Sequence, residues 1–94
     1  MAGESTERYV LTRVTGTCME PRLWDGMWTI ADRRRAPDAG DTVLAEVGGK
    51  RMIKVYTFIG NLPHLTALRS NGGPIRVERA DVIGVVVAAV RHID

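Results

Sequence analysis

The chain has 94 residues, of which 45% are hydrophobic and 26% charged, as expected for one small globular domain with its own core. The formal net charge of +2 is too weak to indicate nucleic-acid binding without a focused basic patch. The single cysteine excludes an internal disulfide, and the longest apolar run, Val82–Val90, is too short to cross a membrane. The first residues lack the basic and apolar segments of a signal peptide, so we expect a cytoplasmic protein with no membrane partner.

Strand-like runs rich in β-branched and aromatic residues occupy most of the chain. A helix over the last run is possible, but its β-branched content favours a strand. The predicted strands are Tyr9–Val14, Met27–Ala31, the two arms of a hairpin spanning Thr42–Ile59, His64–Ser70, Ile75–Val77 and Asp81–Val90.

The segments between these runs contain turn residues. Pro21 is expected to begin a short helical turn, and Gly48-Gly49 is a two-residue hairpin turn. The basic run Arg33–Arg35 is flanked by aspartates and is predicted to be a solvated loop. Gly84, inside the last strand, indicates a bulge or a close backbone approach.

The second arm of the predicted hairpin carries a lysine among apolar residues. Side chains alternate along a strand, so one face of this arm holds Met52, Lys54, Tyr56 and Phe58. Arg51, Ile53, Val55 and Thr57 occupy the other face. A lysine on an apolar face either extends its ammonium group to water or is a candidate base.

Several motifs follow one another in an order that resembles a known family. They are Gly16–Pro21 (GTCMEP), Asp25-Gly26, Gly40-Asp41 before a strand, the Ile53-Lys54 region, the LRSNGGPI segment and the closing strand that begins IGVVV. Together they are similar to the peptidase domain of LexA, UmuD and phage repressors. The resemblance implies one mainly β domain of twisted β-sheets over residues 9–94, in which a β-hairpin carries the lysine, after a flexible tail of residues 1–8. Signal peptidases share this fold and are the second resemblance.

Members of this family cleave peptide bonds with a serine-lysine dyad, and the resemblance places the two roles on Cys18 and Lys54. Cys18 stands where the family has its serine nucleophile, and Lys54 would be the general base. Thr17 and Met19 would help to position the oxyanion donors, which are backbone N–H groups near the nucleophile. A thiol needs less help from a base than a hydroxyl does. The alternative is that Cys18 is a small buried apolar residue in an inactive descendant.

Other candidate residues support weaker hypotheses. His64 and His92 have no second ligand at a suitable spacing, so we expect neither a metal nor another cofactor. Four aspartates are predicted to be turn residues and two tryptophans to be packing or cleft-rim residues. These are Asp25, Asp32, Asp38 and Asp41, and Trp24 and Trp28.

Three functions remain open at this point. The first is a LexA-like peptidase that acts on itself or on a partner protein, and the second is an inactive module that forms homodimers through its last strand. The third is a signal-peptidase-like processing enzyme, which the missing membrane anchor disfavours. The family often cleaves an Ala-Gly bond, but we interpret Ala2-Gly3 as a coincidence because it lies so near Cys18. No helix-turn-helix segment occurs, so direct nucleic-acid binding is not expected.

Overall fold

Antiparallel strands dominate the fold, which is known from a computed structural model that describes residues 7–69 and 72–91. Its strands are β1 (Tyr9–Arg13), β2 (Trp28–Asp32), β3 (Thr42–Val47), β4 (Lys50–Ile59), β5 (Leu62–Thr66), β6 (Ile75–Arg76) and β7 (Val82–Val90). They form one sheet in the order β1-β2-β7-β3-β4-β5-β6. The prediction of a mainly β domain is therefore confirmed.

The predicted hairpin is present with its predicted turn. Gly48 and Gly49 have φ angles of 60° and 79°, which suit a tight turn between β3 and β4. The observed first and last residues of β1, β2 and β7 are each within one residue of the predicted bounds. Pro21 does not begin a helical turn, as we had expected, but lies in the middle of a single turn closed by the Leu23 N–H, which donates to the Met19 carbonyl at 2.9 Å.

The prediction for the fifth strand was wrong in its bounds. We expected His64–Ser70, whereas β5 begins at Leu62 and ends at Thr66. The reason is a second tight turn at Gly60-Asn61, which brings Leu62 directly opposite Ile59 of β4. Pro63 lies opposite Phe58 of β4, and its carbonyl accepts the Val77 N–H at 3.1 Å. Ser70 and Asn71 of the predicted strand and turn lie outside the described residues.

Both faces of the sheet carry a core, so β4 is apolar on two sides. One cluster contains Val43, Ala45, Tyr56, Leu65, Val77, Val82 and Val85, with Met52 against it. The other contains Val14, Met19, Leu23 and Val55, with Ile53 against it. Val14 directly follows β1, at one end of the strand order, yet it shares a cluster with Val55 of β4. The sheet must therefore curl far enough to bring the end of β1 against β4.

Both a close backbone approach and a bulge, the two features predicted as alternatives at Gly84, are present there. A Cβ atom there would lie 2.9 Å from the carbonyl oxygen of Asp32, closer than real Cβ contacts. The pairing of β7 with β3 also shifts register here, because Leu44 pairs with Gly84 and Ala45 with Val82. The missing side chain lets β7 approach the end of β2.

The last strand is not an edge of the sheet, which corrects our expectation. Strand β7 is third in the order and pairs with β2 over Val85–Val90 and with β3 over Val82–Val85. Beyond Val85, no described strand pairs with it on the β3 side. Only this C-terminal half of β7 has a side available for pairing.

Asp32 begins the turn after β2, as predicted, because its carboxylate accepts the Arg34 N–H at 2.9 Å, and it is also the buried partner of an arginine. Arg8 donates from Nε and Nη2 to the two carboxylate oxygens of Asp32, both at 3.0 Å. The Asp32 side chain is 7% exposed. The hydrogen bonds from Arg8, with a further one from the Arg34 N–H, hold the pKa of this carboxyl below its usual value. Of the predicted tail, residues 1–6 lie outside the described residues.

The other three aspartates are turn residues, as predicted. The Asp25 carboxylate accepts the Gly16 N–H at 2.8 Å, and the Asp41 carboxylate accepts the Asp38 N–H at 2.8 Å. Each bond closes a short loop between strands. The three arginines Arg33–Arg35 are exposed, in agreement with a solvated loop.

Candidate active site

The loop that carries Cys18 is held between the ends of β1 and β2. The Val14 N–H donates to the Met27 carbonyl at 2.8 Å, and the Gly26 N–H donates to the Val14 carbonyl at 2.8 Å. Gly16 has a φ of 84°, which glycine adopts without strain. These contacts and the Asp25 carboxylate fix the turn that precedes Cys18.

Cys18 itself is half-buried and bonded to a distant segment. Its carbonyl accepts the Arg69 N–H at 2.7 Å, and the Arg69 guanidinium lies 2.6 Å from the Glu20 carboxylate. The segment that follows β5 is thereby bonded to Cys18 and to Glu20, two residues after it. Sequence analysis did not find this contact, because nothing in the pattern links residues so far apart in the chain.

The two residues beside Cys18 differ in exposure. Met19 is buried in the core cluster with Val14 and Leu23, whereas Thr17 is exposed. The Thr17 carbonyl accepts the Glu20 N–H at 3.1 Å within the turn. Met19 therefore anchors the turn to the core, and the predicted contribution of either residue to an oxyanion site stays a prediction.

Lys54 lies on β4, where the strand has an open side. In the β3–β4 ladder it is opposite Val43, which is fully buried, and it is itself half-buried. On the other side of β4, pairing with β5 begins only at Val55. In the described chain the backbone of Lys50–Lys54 has no strand partner there.

One cavity of about 360 Å³ joins the cysteine loop to the open side of β4. It brings together three of the predicted site residues, Cys18, Met19 and Lys54, while Thr17 does not line it. Its full lining is Thr12, Arg13, Val14, Thr15, Cys18, Met19, Lys50, Arg51, Met52, Ile53, Lys54 and Ile75. We call this cavity the cleft.

The charged residues of the cleft, apart from Lys54, were missed in the sequence. They are Arg13 at the end of β1 and Lys50 and Arg51 at the start of β4. The three basic residues within Lys50–Lys54 could have indicated a basic site from the sequence. Arg13 could not have been included, because it lines the same cleft only through the curl of the sheet. All four charged residues that line the cleft are basic.

The two tryptophans and His64 are not among the residues that line the cleft. Trp24 is 49% exposed and lines a separate cavity of about 420 Å³ together with Arg13 and Arg91. Trp28 is half-buried on β2, opposite Arg13. His64 is on β5, and His92 lies outside the described residues. Within residues 7–69 and 72–91, no three acidic, histidine or cysteine side chains are grouped as a metal site would require.

Comparison with known proteins decides the family. A family model described as Peptidase S24-like matches residues 2–87. The chain belongs to the Peptidase S24-like family. The chain is 33% identical over 98 residues to the LexA repressor of Mycobacterium leprae. It is 28% identical over 97 residues to that of Mycobacterium tuberculosis and 30% over 91 residues to that of Streptomyces avermitilis.

These alignments cover most of the chain but a minority of each relative. They include 99%, 99% and 93% of this chain and 39%, 39% and 37% of the three LexA repressors. The chain thus spans about two fifths of the length of the curated relatives that it matches. In the described part of this Peptidase S24-like domain, no helix has the length and apolarity needed to span a membrane.

Proposed function

We propose that this chain is a cytoplasmic LexA-like peptidase domain that cleaves a peptide bond, in itself or in a partner protein, with Cys18 as nucleophile and Lys54 as general base. The observation that carries the proposal is the shared cleft, which Cys18 and Lys54 line from a loop and a strand far apart in sequence. Membership of the Peptidase S24-like family supports the reaction class. The LexA repressors among its relatives suggest a role in repressor control or a stress response.

The proposed reaction passes through a thioester. Neutral Lys54 accepts the proton of the Cys18 thiol, and the sulfur attacks the carbonyl carbon of the scissile bond. The C–N bond then breaks, and the leaving amine takes the proton back from Lys54. In the second half, water gives a proton to Lys54 and attacks the thioester, and the Cys18 sulfur leaves and is reprotonated.

The open side of β4 offers a way to hold the substrate. An extended peptide laid along Lys50–Lys54 would pair with backbone groups that have no partner strand in the described chain. Backbone pairing fixes the position of a scissile bond without requiring particular side chains. Cys18 and Lys54, at one end of this segment, would then face the same carbonyl group.

The first test is hydrolysis of peptides with a central Ala-Gly pair, followed by mass spectrometry. We expect the parent chain to cleave them and Cys18→Ala to be inactive. Lys54→Ala should lose about 100-fold or more in rate, because a general base contributes about that much. Cys18→Ser should keep measurable activity, since it restores the family's nucleophile, and Arg35→Ala, in the exposed loop, should match the parent.

A second measurement does not depend on turnover. At pH 6.5 an ordinary thiol is only about 1% thiolate, so iodoacetamide alkylates it slowly. Transfer of the Cys18 proton to Lys54, as in the first step of the proposed reaction, leaves a thiolate beside an ammonium group, so Cys18 would react faster in the parent than in Lys54→Ala. Equal alkylation rates in the two proteins, together with no cleavage of any peptide, would contradict the proposed function.

One observation favours a second function, that of an inactive module that forms homodimers. Val87 and Val90 of β7 are 42% and 38% exposed on the half of the strand that has an open side. Exposed apolar residues next to an open strand side are suited to pairing with a second copy. Dimer formation by itself does not exclude the first function, because no residue of β7 lines the cleft.

A further inference from the structure

The cleft carries an uncompensated positive charge. Arg13, Lys50 and Lys54 line it with no ion pair between them and an acidic side chain in the described residues. Arg51 has one partner, Glu46, at 3.4 Å, and both side chains of that pair are 49% exposed. No acidic residue is among the lining residues. The cleft lining is therefore more basic than the chain as a whole, which has a net charge of only +2.

Two of the basic residues, Lys50 and Lys54, are spaced along β4 at opposite ends of its unpaired segment. Lys50 and Lys54 are four residues apart on an extended strand, which separates their Cα atoms by about 13 Å. A peptide strand alongside β4 has the same rise per residue. A side chain about four residues from the scissile bond would therefore lie beside Lys50 when the bond itself lies at Cys18 and Lys54.

The chemistry of the lining fits a peptide better than a nucleic acid. Single-stranded nucleic acids are held by basic grooves that also offer aromatic rings for base stacking. The lining of this cleft contains no aromatic residue. It offers instead an unpaired strand side and the apolar side chains of Val14, Met52 and Ile53, which suit the backbone and side chains of an extended peptide.

We infer that the cleft selects peptide segments with a glutamate or aspartate about four residues from the scissile bond, bound beside Lys50. The inference rests on the proposed function, because it assigns the substrate class of the same cleft. Arg51 adds to the positive potential that attracts the acidic side chain, whereas the Arg13 guanidinium lies beside Gly26 and the second cavity. Lys50 is a specificity residue in this view, and it takes no part in the chemical step.

The test uses equilibrium binding of fluorescein-labelled peptides to the Cys18→Ala chain, so that binding is measured without turnover. Three sets of twelve-residue peptides with a central Ala-Gly pair differ only at the fourth position on either side, which is Glu, Gln or Lys. We expect the Glu set to bind about tenfold more tightly than the Gln set, and the Lys set to bind most weakly. The preference should weaken at high salt.

A charge-reversed variant supplies the decisive control. Adding Lys50→Glu should cancel the preference for Glu and raise affinity for the Lys set, whereas Arg35→Glu, the same change in the exposed loop, should leave the order unchanged. Lys50 is exposed, and a thermal midpoint equal to that of Cys18→Ala checks that the variant folds. Unlabelled single-stranded oligonucleotide and inorganic phosphate serve as competitors.

The outcomes separate this inference from the proposed function. Equal affinities for the three sets, or displacement of the Glu peptides by the oligonucleotide or by phosphate at equal concentration, would overturn the acidic-peptide inference. Cleavage of the Gln peptides by the parent chain would still support the peptidase. Selective binding of the Glu set with no cleavage by the parent would uphold the binding preference and contradict the catalytic role of Cys18.

Discussion

At residue 84 the absence of a side chain determines how closely two strands approach. The Asp32 carbonyl oxygen lies 2.9 Å from where a Cβ atom of residue 84 would be, and this obstacle is backbone that cannot rotate away. We predict that Gly84→Ala lowers the free energy of unfolding by about 1–3 kcal/mol, the usual effect of overpacking. Chemical denaturation followed by circular dichroism measures this change.

Gly73→Ala is the matched control for that substitution. A methyl group added at Gly73 would have no atom within 4 Å, and this residue does not have a positive φ, so the same change meets open space. We expect its free energy of unfolding to stay within about 0.5 kcal/mol of the parent. Equal effects of the two substitutions would show that the approach of Asp32 to Gly84 is not tight.

At the scale of elements, the ion pair of Arg8 and Asp32 fastens β1 to the end of β2. Arg8 holds the pKa of Asp32 below its unfolded value, so the folded state favours the ionised carboxylate. This contribution to stability is complete above the unfolded pKa of about 3.9 and is lost as the pH falls through the lower folded value. We predict that acidification from pH 6 to pH 3 lowers the thermal midpoint of the parent more than that of Arg8→Gln.

The exposed ion pair of Arg51 and Glu46 serves as the control for the pH dependence attributed to Arg8 and Asp32. Both of its side chains are half exposed, and such pairs contribute little to stability. Arg51→Gln should therefore follow the pH dependence of the parent. A parent whose midpoint falls by the same amount as that of Arg8→Gln would argue against a stabilising role for the buried carboxylate.

At the scale of the whole molecule, the C-terminal half of β7 has one side without a described partner strand. We predict that the chain forms homodimers there by pairing of two β7 strands. Ala88 is exposed on this half, so Ala88→Lys should weaken the dimer, because a charged side chain opposes pairing between strands. Sedimentation velocity measures the change.

Leu62→Lys is the control for the dimer, since Leu62 is 50% exposed in the β4–β5 turn region, away from β7. It adds the same charge in place of an apolar residue and should leave the dimer intact. A parent that sediments as a monomer even at high micromolar concentration would contradict dimer formation. Loss of the dimer in both variants would show that β7 is not the surface involved.

Local patterns determined the strands and one of the two hairpins. Gly48-Gly49 between two β-rich runs predicted the β3–β4 hairpin, because both glycines adopt the positive φ that such a turn requires. Gly60-Asn61 is a comparable turn pair. Pro63 follows two residues later, and because proline is disfavoured in strands it argued against a strand that begins at Leu62. The Pro63 carbonyl accepts the Val77 N–H at 3.1 Å, a contact between residues distant in the chain that no local pattern indicates.

The sequence by itself determined the fold class, the family resemblance and the pairing of Cys18 with Lys54 as a hypothesis, because these follow from local spacing and motif order. Only the tertiary structure decided that Arg13 joins the basic residues of β4 at the cleft, and that β7 lies inside the sheet. Both depend on the curl of the sheet and on strand order. These are set by the packing of Val14 against the cluster of Val55 and by the approach of Gly84 to Asp32, contacts between residues that are distant in the chain.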